Sequence, residues 1–227
     1  MIRTRALLVV AALVVMTGCG GSSSDTPKAK DLSSLSATAI LAKAKAQVVK
    51  ESNVSIASTE GSAQFIKFDY AGDDSYGSIG TDNGVLTVFN IGGVTYYKPD
   101  DAFWKATAGD QAATIIAKVN GRWIKPAADS SFNDFLQVAQ KSALSTQILA
   151  PQGTVSKAGT KTVNGVTCIV LKDGAVGSLY VSVKNGRPIQ LTSKASGILN
   201  FSFEKVDLPD PPGAAETVDE SGLGMSG

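Results

Sequence analysis

The sequence predicts an α+β fold, a long, curved antiparallel sheet with helices packed against its concave face. Three observations lead there. In the last third of the chain, apolar and polar residues alternate in five short runs broken by hairpin-turn dipeptides. Three other segments carry apolar residues at helical spacing. A sheet with one wet face and one apolar face needs cover for the apolar one, and those helices can supply it.

The chain begins with an export signal. Arg3 and Arg5 form a short basic region, followed by the apolar run 6–15. That run is too short to span a bilayer and fits the core of a signal peptide. Met16-Thr17-Gly18-Cys19 follows, resembling the lipobox after which bacterial lipoproteins are cleaved. Residues 1–18 are therefore expected to be a lipoprotein signal peptide and Cys19 the lipidated residue. Residues 19–34 form a flexible tether rich in Gly and Ser. Acyl chains on Cys19 would anchor the protein to the outer face of the cell membrane without a transmembrane helix.

The folded domain is expected over 35–206. Ser36 can cap a helix carrying Ile40, Leu41, Ala44 and Val48, which ends near Ser52. Period two follows, with Gln64, Ile66, Phe68 and Tyr70 on one strand face. Asp82-Asn83-Gly84 and Gly92-Gly93 turn the chain into strands at 85–89 and 94–97. Helices are expected over 110–119 and 131–145, the second aligning Phe132, Phe135, Leu136 and Ala139, with a short strand at 121–126 between them. Five strands complete the sheet, at 154–163, 165–172, 177–184, 188–195 and 197–206. Asn164-Gly165, Asp173-Gly174 and Asn185-Gly186 mark three of their turns. Residues 207–227, with Pro209, Pro211 and Pro212, read as a disordered tail.

Composition narrows the chemistry. The 227 residues carry 21 basic and 20 acidic side chains and no histidine. Removing residues 1–18 takes away two Arg and leaves 19 basic against 20 acidic, a net −1. That balance gives no footprint for nucleic acid. Without histidine, Ser-His and Cys-His catalysis and the commonest metal ligand are unavailable. With Cys19 committed to lipid, Cys168 has no disulfide partner. It alternates with Val166 and Val170 as a buried apolar residue would, the other reading being a reactive thiol.

Catalytic motifs are missing or mismatched. Gly77-Ser78-Ile79-Gly80 lacks the nucleophile-elbow spacing. The stretch from Gly153 to Lys161 is one residue too long for a phosphate loop and reads as a hairpin loop. Ser202-Phe203-Glu204-Lys205 lies on a strand. Asp73-Asp74 and Asp100-Asp101 lack calcium-loop spacing and read as solvated turns. The expectation is a non-enzyme with no cofactor and no metal. Tyr96-Tyr97, Phe103-Trp104 and Trp123 either line a ligand cavity or close the core.

Several segments carry a family resemblance. They are 36–45 after the tether, Ile91 to Lys98 with Phe103-Trp104-Lys105, 121–125, Gly159 to Val166, and Gly177 to Leu191. Together they resemble the actinobacterial LppX/LprAFG-type lipoproteins and their LolA-like relatives. The resemblance implies a half-barrel of antiparallel strands, helices over its concave face and a hydrophobic cavity between them. It also implies a role in carrying acylated lipids or lipoproteins through the envelope.

The expected ligand is a lipid or acyl chain, held by a monomer and lined by Ile66, Phe68, Val88, Leu136, Val181, Leu191 and Phe201. The alternative is a sensor lipoprotein with a filled core that docks a partner protein. A cavity below about 300 Å³ would favour the alternative.

Overall fold

A computed structural model of the chain describes residues 32–59, 64–174, 177–194 and 197–224. The signal, Cys19 and most of the tether lie outside these residues. Among the described residues, twelve strands form one open sheet. They are β1 (Asn53–Ser58), β2 (Phe65–Ala71), β3 (Asp74–Thr81), β4 (Gly84–Ile91), β5 (Val94–Pro99), β6 (Trp123–Lys125), β7 (Val155–Val163), β8 (Val166–Asp173), β9 (Gly177–Ser182), β10 (Pro188–Ser193), β11 (Gly197–Ser202) and β12 (Thr217–Asp219). Their spatial order is β12-β6-β5-β4-β3-β2-β1-β11-β10-β9-β8-β7. Two meanders, β1 to β6 and β7 to β11, therefore meet where β1 pairs with β11. All neighbours are antiparallel except β12, which runs parallel to β6. The helices are α1 (Ala37–Lys50), α2 (Asp101–Thr107), α3 (Ala112–Val119), α4 (Asn133–Leu136) and α5 (Lys141–Ile148). The α+β class expected from the sequence is the one observed.

One cross-strand row organises the core. Ile124, Tyr97, Val88, Gly77, Phe68, Ile56 and Phe201 are successive partners across β6, β5, β4, β3, β2, β1 and β11. Gly77 belongs in this row because the Phe68 ring lies over it. A Cβ there would come within 2.4 Å of that ring and of the Lys67 carbonyl oxygen. The cover over the row comes from Ile40, Ala44 and Val48 of α1, Phe103 and Trp104 of α2, Ile115 and Val119 of α3, and Leu144 of α5. Ser36 caps α1 as expected, accepting the Ala39 N–H at 3.2 Å.

The structure departs from the sequence reading in several places. The helix expected over 131–145 is broken into α4, a 3₁₀ turn at Gln137–Ala139 and α5. The Tyr70 hydroxyl donates to the Val138 carbonyl at 2.6 Å, and the Ser75 hydroxyl to the Ala139 carbonyl at 2.8 Å. Those carbonyls are thereby taken by the sheet, and Gln140 turns extended. Phe135, expected on the covered side, is 55% exposed. Asp100 is a helix cap, accepting the Phe103 N–H at 2.7 Å. The stretch read as a hairpin loop at 153–161 lies largely in edge strand β7, which is irregular between Lys157 and Thr160. The tether ends earlier than residue 34, because Leu32 is buried in the core.

The tail differs most. Thr217–Asp219 adds β12 to the sheet, and Leu223 is buried. Glu220 is also buried, its carboxylate accepting the Ala127 N–H at 2.7 Å and the Ser130 hydroxyl at 2.8 Å. Three prolines and several acids suggested disorder, but one satisfied acid and one leucine give the segment a docking point.

Tyr70→Phe is expected to lower unfolding free energy by about 1–3 kcal/mol, because a buried carbonyl loses its donor. Urea titration of the variant checks this, and an unchanged midpoint would show that the sheet does not hold the 3₁₀ turn.

Candidate functional site

A second row on the same sheet face has a different fate. Leu171, Leu179, Leu191 and Leu199 pair in turn across β8, β9, β10 and β11. They floor a pocket of about 460 Å³. Leu41 of α1, Ile148 of α5 and the connection 149–152 supply the opposite wall, and Ile66 of β2 and Val155 of β7 complete the apolar lining. Polar atoms come from Gln147, Gln152, Asp173, Ser178, Thr192 and Ser193. The volume exceeds the ~300 Å³ below which ligand sites are rarely found. It can hold an apolar chain.

The expected lining residues divide between pocket and core. Ile66 and Leu191 line the pocket, both half-buried. Phe68, Val88 and Phe201 belong to the filled row, with Phe68 and Val88 fully buried. Phe201 also borders a second hollow of about 600 Å³ near the β7–β8 and β9–β10 turns, whose walls include Lys184, Arg187 and Glu204. Val181 pairs with Ile169 and Pro188 in the core, and Leu136 packs there from α4. These five do not line the pocket and belong to the packed core cluster. The reading missed Leu41, Leu171, Leu179 and Leu199. The three strand leucines could have been found by pairing the last strands about their turns, which sets one leucine opposite the next.

Of the aromatic residues expected in cavity or core, Tyr97, Phe103 and Trp104 settle in the core. Tyr97, Phe103 and Trp104 are buried around Phe132, with ring centroids 5.2–6.0 Å from it. Trp123 instead packs with Tyr76 and Phe89 in a separate group, and Lys98 sits 5.8 Å from its ring. None of these residues lines the leucine pocket. Burial, then the Glu220 carboxylate, pushes the Tyr97 phenol pKa up. Cys168 is buried, and burial raises its thiol pKa, which fits a packing role.

Among the described residues, one charged group lines the pocket. Asp173 closes β8, and its Oδ2 accepts the Gln152 N–H at 2.6 Å, fastening the connection after α5 to the sheet. Its Oδ1 is buried without a hydrogen-bond partner among the described residues.

No family model matches the chain, and no curated protein matches it at a significant level. Solved structures do. LprF from Mycobacterium bovis is similar with a TM-score of 0.45 at 9% identity, over 78% of this chain and 97% of that one. The MucB structure in complex with MucA(peri) is similar with a TM-score of 0.32 at 14% identity, over 84% of this chain and 60% of that one. The Pseudomonas aeruginosa MucA/MucB complex gives 0.32 at 13% identity, over 84% and 61%.

Truncating the two rows should have different costs. Phe68→Ala removes a fully packed ring and is expected to cost about 3–5 kcal/mol. Leu191→Ala trims a half-buried wall and should cost about 1 kcal/mol, as only part of its transfer free energy is lost. Chemical denaturation of both variants tests the division, and equal losses would mean that the leucine row is packed as tightly as the core.

Proposed function

We propose that this chain is an exported envelope lipoprotein, anchored through acylated Cys19, that binds the acyl chain of a lipid in the leucine pocket. The observation carrying this reading is the row Leu171, Leu179, Leu191 and Leu199, which faces a volume of about 460 Å³ in place of packed helix. Each methylene moved from water into such a site contributes about 0.8 kcal/mol, which drives burial without a covalent bond and leaves it reversible. The lipobox Met16-Thr17-Gly18-Cys19 supports the anchor.

A second reading, a lipoprotein with a filled core that docks a partner protein, has the closely packed Phe68 row in its favour.

Extraction of the full-length protein from host membranes followed by mass spectrometry should show a co-purified acyl lipid. Leu191→Trp should fill the pocket and weaken binding of a fluorescent acyl probe at least about tenfold, with the unfolding midpoint little changed. No extracted lipid and no probe binding would refute the lipid reading and leave the docking one. Cys19→Ala should move the protein from the membrane to the soluble fraction, and continued membrane retention would refute the anchor.

A further inference from the structure

We infer that the pocket selects its ligand by headgroup, taking a single-chain amphiphile whose head is a neutral or cationic hydrogen-bond donor and disfavouring a carboxylate or phosphate head. The inference rests on the reading of the pocket as an acyl-chain site. Among the described residues that line the pocket, Asp173 is the one charged side chain, and no Lys or Arg stands with it. Lys172, its neighbour in β8, alternates onto the other strand face and is exposed.

The Asp173 carboxylate is half used. Oδ2 holds the Gln152 N–H, while Oδ1 lies buried with no donor to it among the described residues. A carboxylate has acceptor capacity on both oxygens, and a buried acceptor without a donor is costly. Directly across the two ladders from Asp173 are Gly177 of β9, which has no side chain, and Val155 of β7, which is apolar, so neither cross-strand neighbour offers a side-chain donor. The glycine position cannot readily acquire one, because a Cβ at residue 177 would come within 2.1 Å of the Thr192 carbonyl oxygen.

These features fix the sign of the selection. A hydroxyl or ammonium head brought to Asp173 by a small rotation of the carboxylate supplies the missing donor, and an ammonium adds charge attraction. A fatty-acid carboxylate or a phosphate head there meets a like charge, with no cation among the described lining residues to offset it. The volume, near the lower end for ligand sites, suits one chain rather than several.

The test uses the full-length protein and displacement of a fluorescent acyl probe by three ligands sharing a sixteen-carbon chain: palmitic acid, 1-palmitoylglycerol and hexadecylamine. The glycerol ester and the amine should bind at least about tenfold more tightly than the acid. Asp173→Asn keeps an acceptor for the Gln152 N–H and removes the charge, so it should bring the amine and the acid to within about threefold of each other. Equal binding of all three ligands to the unaltered protein, or a preference unchanged in Asp173→Asn, would overturn the headgroup inference and leave the acyl-chain site standing. Failure of all three to displace the probe would overturn both.

Discussion

An open sheet of twelve strands has one apolar face, and that face has to be kept from water by helices too short to cover all of it. This constraint shapes the rest of the molecule. The longest helix, α1, has 14 residues, and the others have four to eight. They converge on the row through Phe68 and Val88, where rings and branched side chains meet at full burial. Over the leucine row the cover thins to Leu41, the last residue of α5 and a loop. A cavity lined by aliphatic side chains stabilises nothing by itself, since wall atoms without partners lose dispersion contacts. Its persistence is offset by the packed row beside it.

Much of this architecture is written locally. Asn164 and Gly165 both take positive φ, 49° and 76°, as a two-residue hairpin of the primed type requires. The dipeptide was legible for that reason, and the last five strands followed from such turns. β1 and β3 were not legible. β1 is a six-residue strand behind a strong helix, and β3 has glycines at 77 and 80, where its neighbours' rings supply the bulk. The break in the helix after Leu136 is set by hydroxyls on β2 and β3, more than 60 residues away in sequence. No window of the sequence holds that information.

The site was legible to the same depth. Period two identifies which side chains face inward, and all six strand residues proposed for the lining do face inward. Which inward row meets a helix and which meets space depends on helix length and placement. Alternation therefore identifies the face without the row. Ile66 and Leu191 lie where the cover ends, while Phe68 and Val181 lie beneath it. The tail failed for a related reason. Composition argued for disorder, but Glu220 finds two donors inside the fold, and a buried acid with its hydrogen bonds satisfied can order a segment that composition would release.

The two edges of the sheet are protected by different means, and the difference bears on the pocket. At one edge the tail strand β12 shields β6. At the other, β7 is exposed along most of its length and guarded by Lys157, Lys161 and an irregularity in its pairing, devices that discourage strand addition. Lys157 also donates to the Ser33 and Leu35 carbonyls, tying the start of the domain to that edge. The pocket lies on this less covered side, with Val155 of β7 in its wall. The loop forming its roof is held to the sheet by the single Asp173–Gln152 contact among the hydrogen bonds described for that loop's residues 151–153. Leu149, at the start of the same connection, is buried in the core cluster with Phe68. The roof is therefore rooted in the core at one end and held to the sheet by a carboxylate at the other, which ties the pocket's shape to the packing that keeps the sheet folded.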